Sequence, residues 1–267
     1  MSAPEPAEVA VAPEARADAI NAEHLSKRFG AVEALTDVSL HVAKGEVLGL
    51  IGDNGAGKST LIKIITGFHQ PDGGTIRIDG DEVRLRSVSH ARSLGIETVY
   101  QDLALIPELS VYHNMFLKRE KLRLPLPFLN NGLMRRQARA YLADMGVQVP
   151  SVDTDVGRLS GGQRQAIAIA RAVYSQAKVL LLDEPLAAMG AKEGALILDL
   201  IRNLKVRGEV SMILIAHNYA QVLEVCDRVN LLRHGRIFLD KRTSETSVDE
   251  LTEVMVEEYR RQRRATT

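Results

Sequence analysis

Three runs of nearly unbroken apolar residues, 47–51, 178–182 and 212–216, punctuate this chain. Runs of that length without polar alternation predict strands buried on both faces, as in a parallel sheet covered by helices. Residues 96–100 make a fourth candidate strand. Residues 75–79 alternate Thr-Ile-Arg-Ile-Asp and run into Gly80, the pattern of an exposed strand and its turn. Helical spacing of apolar positions marks 58–66, 133–145 and 163–176. The segments 229–233 and 236–239 flank His234-Gly235 and predict a hairpin. From 247 onward the pattern is again helical and ends in a basic cluster at 260–264. Residues 119–131 carry Pro125, Pro127 and Asn130-Asn131-Gly132, which predicts a loop or insertion. Residues 1–19 are small residues, acids and prolines without a period. They predict a disordered tail, with ordered structure from about Ile20.

The length of 267 residues allows a packed core, as one large domain or two small ones. Lysine plus arginine balances aspartate plus glutamate at 34 each, so bulk charge offers nothing to a nucleic acid. The single Cys226 excludes an internal disulfide framework and fits a reducing compartment. It lies in a helix-like stretch and reads as core. No apolar run is long enough to span a bilayer. The N-terminus lacks the basic start and long apolar segment of a secretory signal, so any membrane role is expected to be peripheral. Each motif described below occurs once, and no internal repeat is visible.

Residues 52–59, Gly-Asp-Asn-Gly-Ala-Gly-Lys-Ser, fit the phosphate-loop pattern G-x-x-x-x-G-K-[ST] between a candidate strand and a candidate helix. Gly52, Gly55 and Gly57 let backbone N–H groups curl around phosphates, and the following helix points its positive end at the same anion. The expected nucleotide contacts are Gly52, Asp53, Asn54, Gly55, Ala56, Gly57, Lys58, Ser59 and Thr60. Lys58 would reach the β- and γ-phosphates and Ser59 would ligate Mg²⁺. Asp183 ends an apolar strand and would hold Mg²⁺ through water, since Mg²⁺ dehydrates reluctantly. Glu184 would poise the attacking water as general base. Gln101 and His217 also follow candidate strands. Taken alone, each is a polar residue capping a strand. In a parallel α/β sheet, however, ligands bind beyond the carboxyl ends of the strands, so all these residues are expected on one edge.

Leu159-Ser160-Gly161-Gly162-Gln163, placed between Gln101 and Asp183, resembles the signature of ABC-type ATPases. A Ser-Gly-Gly helix start is explicable as capping alone; the full pentapeptide in this position is not. The resemblance covers roughly residues 21–240. It implies a P-loop NTPase of the ABC ATPase fold: a mainly parallel core sheet, an N-terminal antiparallel β subdomain and an inserted helical subdomain at about 102–176. The ATPase domain would span 20–240 and a C-terminal helical and basic tail 241–267.

The resemblance also implies ATP and Mg²⁺ as ligands and a head-to-tail dimer with a second ATPase chain, taken as a homodimer. Ser160, Gly161, Gly162 and Gln163 would complete the other copy's nucleotide site. By the same resemblance Gln101 senses Mg²⁺ and the attacking water, His217 contacts the γ-phosphate, and Phe29 stacks on adenine. Residues 103–111 and the helical subdomain would receive a membrane permease.

The run from Asp183 to Glu193 is similar to that of ribose/fructose-type sugar importers, here in their single-domain form. This implies uptake of a monosaccharide, an indirect partnership with a solute-binding protein, no nucleic-acid partner, and a peripheral place on the cytoplasmic face of the bacterial inner membrane. Leu186 replaces the usual Thr. Gly190 replaces an Asp that in the broader family crosses the dimer interface. Two alternatives stand beside this reading. One is a non-transport ABC ATPase acting on ribosomes or DNA, whose tandem domains or coiled-coil insertion are absent here. The other is a binding module with weakened catalysis, which Gly190 and Leu186 suggest.

Overall fold

The computed structural model describes residues 17–123, 125, 128–187 and 189–265. Residues 1–16 of the expected tail, Pro127 and the side chains of the basic cluster at 260–264 lie outside the described part. The chain opens with two long strands, β1 (Asp18–Phe29) and β2 (Val32–Ala43). Then come β3 (Val47–Ile51), α1 (Lys58–Ile65), β4 (Gly73–Ile78), β5 (Asp81–Glu82), α2 (Val88–Ser93) and β6 (Ile96–Val99). The middle section holds α3 (Val111–Met115), short strands β7 (Leu122–Arg123) and β8 (Phe128–Leu129), α4 (Asn131–Asp144) and α5 (Gly161–Tyr174). Next are β9 (Val179–Asp183), α6 (Ala191–Arg207), β10 (Ser211–Ile215) and α7 (Tyr219–Val225). The last elements are β11 (Arg228–Arg233), β12 (Arg236–Arg242) and α8 (Val248–Ala265).

Six strands form the central sheet in the order β12-β11-β3-β10-β9-β6. All are parallel except β12, which returns from β11 as the expected hairpin. β3 shows why its sequence is unbroken: all five residues are buried. Val47 and Ile51 face one apolar core, shared with α5 and α6, while Leu48 and Leu50 face the other, shared with α1 and the N-terminal strands. Burying one such aliphatic side chain contributes about 1.5–3 kcal/mol, and here both faces are buried. Gly49 is the exception, because a Cβ there would collide with Val222 Cγ1 of α7. Ile215 of β10 lies opposite both Asp183 and Leu50, and Val99 of β6 lies opposite Leu182. The carboxyl ends of β3, β10, β9 and β6 therefore finish nearly level.

A second, antiparallel sheet of order β2-β1-β4-β5 packs its inner face onto α1, burying Ile20, Ala22, Leu25, Val38 and Leu40. Two expectations change here. Ordered structure begins at least two residues before Ile20, because Asp18 pairs with Ala43 and Ala19 is buried. The strand at 75–79 is only half exposed, since Ile76 and Ile78 are buried in the core shared with α1. A third change concerns the loop expected at 119–131. It contains the small hairpin of β7 and β8, with Leu122 opposite Leu129. Among the described residues no helix is long and apolar enough to cross a membrane.

Candidate nucleotide site

After β3 the chain turns at Gly52, with φ 149°. A Cβ there would collide with the Leu232 carbonyl oxygen on neighbouring β11. Gly57 caps α1 at φ 108°, where a Cβ would lie 2.7 Å from the Ala34 carbonyl oxygen. Only glycine meets both demands. Without a side chain at the cap, the first N–H groups of α1 have no side-chain acceptor and remain open to an anion. Lys58 folds back over this loop. Its Nζ donates to the carbonyls of Gly52 at 2.6 Å and Asp53 at 2.9 Å, and the residue is 7% exposed. An ammonium has three donors, so one remains for an incoming phosphate. The β11–β12 turn braces the loop from behind: Gly235 N donates to Ala56 O at 2.9 Å, and Thr36 N donates to Gly235 O at 2.7 Å. Asp53, Asn54, Gly55 and Ser59 are exposed, whereas Ala56 is buried and Thr60 half-buried.

Asp183, Glu184 and His217 stand beside this loop at the strand ends. Burial first, and then the neighbouring Glu184, hold the Asp183 carboxyl above its usual range, while Lys58 and His217 oppose them. Burial presses the Lys58 pKa down, opposed by Glu184, Asp53 and Asp183. Glu184 Oε1 lies 2.7 Å from His217 Nε2. The Glu184 backbone is left-handed, φ 50°, and its N–H donates to Ile215 O of β10 at 3.0 Å. That bond holds a strained conformation and turns the side chain toward His217. Gln101 is exposed two residues past the end of β6, whose last residue, Val99, pairs with Leu182 of β9. A divalent cation fits here: two adjacent carboxylates, one held above its usual pKa, and an exposed serine hydroxyl next to Lys58. One or two carboxylates, with room left for water and phosphate oxygens, suit Mg²⁺.

Phe29, at the end of β1, is 42% exposed and meets His69 edge-on at 5.2 Å, with Lys27 Nζ 5.4 Å from its ring centre. Ser160 caps α5 and closes a reciprocal capping box. Its Oγ accepts from Gln163 N at 3.3 Å, and Gln163 Oε1 accepts from Ser160 N at 3.1 Å. Accepting leaves the Ser160 hydroxyl proton free to donate outward. Gln163 Nε2 is engaged with Gln148 O at 3.3 Å, so Gln163 shapes the turn with both ends of its amide. Gly162 is packed closely enough that a Cβ would lie 3.0 Å from Glu193 Cβ on α6.

The family model of ABC transporters matches residues 35–187, more than half of the chain. The chain belongs to the ABC transporter ATP-binding family. It is 49% identical to the xylose/arabinose import ATP-binding protein of Sulfolobus acidocaldarius, over 89% of this chain and 94% of that protein. It is 46% identical to the fructose import ATP-binding protein of Rhizobium meliloti, over 81% and 85% respectively. A nucleotide-free ATP-binding cassette from an ABC transporter superposes with a TM-score of 0.74 at 27% identity, covering 90% of this chain and 95% of that one.

Within this ABC ATPase, several residues outside the motifs shape the site. Gly235 braces the phosphate loop, and its only sequence signal was a hairpin turn. Tyr219 borders Asp53; burial, and then that carboxylate, push its hydroxyl pKa up. Glu193 packs behind the signature. Gly190, already singled out in the sequence, is the N-cap of α6 and supplies no side-chain cap.

Proposed function

We propose that this chain is the ATP-hydrolysing subunit of an importer that takes up a small sugar through a separate membrane permease. The observation that carries it is the 49% identity extending over 94% of a xylose/arabinose import ATP-binding protein. In this reading the open N–H groups of α1 and Lys58 bind the phosphates, and Phe29 stacks on the adenine. Ser59 and Asp183 would hold Mg²⁺, which would supply positive charge against the phosphates. Glu184, oriented by its left-handed backbone, takes a proton from the attacking water. His217 holds Glu184 in place and contacts the γ-phosphate, and Gln101 orients water and metal. Ser160, Gly161 and Gly162 supply the hydroxyl and helix end that close the site of a second copy. ATP then stabilises the closed dimer, and hydrolysis reopens it. The assembly sits peripherally on the cytoplasmic face of the inner membrane, with a solute-binding protein as indirect partner. Purification with its permease, followed by ATPase assays in proteoliposomes with the sugar-loaded binding protein, tests this. Turnover raised by a pentose or hexose is expected; stimulation by no sugar contradicts sugar uptake.

A further inference from the structure

Arg171 lies on the last turn of α5, the helix that begins at the signature. Its side chain reaches to a different part of the chain. One guanidinium nitrogen donates to Leu103 O at 2.9 Å and the other to Ala104 O at 2.8 Å. Those carbonyls lie two and three residues after Gln101. Ala104 is left-handed at φ 48°, an uncommon conformation for alanine, so the fork holds a backbone bend as well as a position. Behind Arg171, Glu97 of β6 is largely buried and carries the opposing charge, with Arg119 and Arg92 each 3.4 Å from it. Burial presses the Arg171 pKa down and Glu97 raises it. Arg171 is half-buried, and with both ends of its fork occupied it acts as a strut.

We propose that Arg171 is a positioning residue that fixes the signature helix to the Gln101 segment, so that each chain presents Ser160 to a second copy at a position set by its own phosphate edge. Because α5 is one continuous helix, pinning its last turn sets the direction of its first. Among the described residues, Arg171 makes the side-chain hydrogen bonds that tie the Gln101 segment to the signature helix.

This inference rests on the proposed function, since it needs ATP sites shared between two chains. The test uses the full chain with Arg171→Gln and, as the gentler change, Arg171→Lys, which keeps the charge and loses the fork. Melting temperature, MgATP affinity and steady-state hydrolysis are measured for each. Expected for Arg171→Gln are ATP affinity within about twofold of the parent and kcat about tenfold lower or more, since displacements near 1 Å cost up to ~100-fold. Arg171→Lys should fall between. Arg171→Gln is then mixed with Lys58→Ala. Turnover of the mixture above the sum of the two variants measured alone places the defect in the signature offered to the other copy. No recovery, with normal melting and ATP binding, overturns the inference. So does a loss of ATP affinity matching the loss of turnover. A parent chain that hydrolyses no ATP defeats the proposed function instead.

Discussion

Glu184 combines a left-handed backbone with a 2.7 Å contact to His217. A non-glycine residue held there costs on the order of 1–3 kcal/mol, and such strain persists where surrounding structure over-determines it. Here the bond from Glu184 N to Ile215 O does so. Replacing Glu184 with Gln should leave MgATP binding intact and lower hydrolysis by about 10²–10⁴-fold, measured at saturating ATP. Asp183 yields a different prediction. Its folded pKa is raised above the ordinary aspartate value, first by burial and then by Glu184. The folded state therefore holds the proton more tightly than the unfolded chain. The stability this group contributes is present in acid and is lost as pH rises through its folded pKa. The nucleotide-free Asp183→Asn variant should accordingly melt above the parent at pH 7, with the gap closing toward pH 3, while hydrolysis is abolished. Equal melting at pH 7 would contradict the assigned cost of the ionised carboxyl.

Among the elements, two helix starts invite direct comparison. α5 has a full capping box at Ser160, whereas α6 begins at Gly190 with no side-chain cap. Ser160→Ala should destabilise the chain by about 1 kcal/mol. Gly190→Asp should stabilise it by a few tenths of a kcal/mol, because the position is extended, φ −69°, and an added Cβ meets nothing within 4 Å. Both are read by denaturant unfolding. β3, β9 and β10 were legible from sequence because burial on both faces leaves no alternation to misread. β1 and β2 were not. His24 and Asp37, both left-handed, mark irregularities that shift their register and break the period of two. The β7–β8 hairpin was hidden by its prolines, which ordinarily signal a loop. The motifs singled out Lys58, Asp183, Glu184 and His217, which the structure brings together at the strand ends. They could not reveal that Glu184 is left-handed or that Arg171 reaches Leu103, because both depend on contacts between distant elements.

For the whole molecule, the phosphate loop and the signature turn are built by separate devices. One is a glycine-lined turn at the end of β3; the other is a capped helix start packed on α6. In the proposed mechanism neither completes a site within its own chain. With hydrolysis blocked by Glu184→Gln, MgATP should convert monomer to dimer, read by light scattering, and ADP should not. The most direct test of two half-sites per chain is a mixing experiment. Ser160→Asp keeps a good helix cap but places a negative charge in the anion cradle. Lys58→Ala disables the other half-site. Each variant alone should be inactive, and their mixture should regain ATP hydrolysis, because one site in each mixed dimer has both halves intact. A mixture as inactive as its components, with dimers demonstrably formed, would contradict the shared-site account.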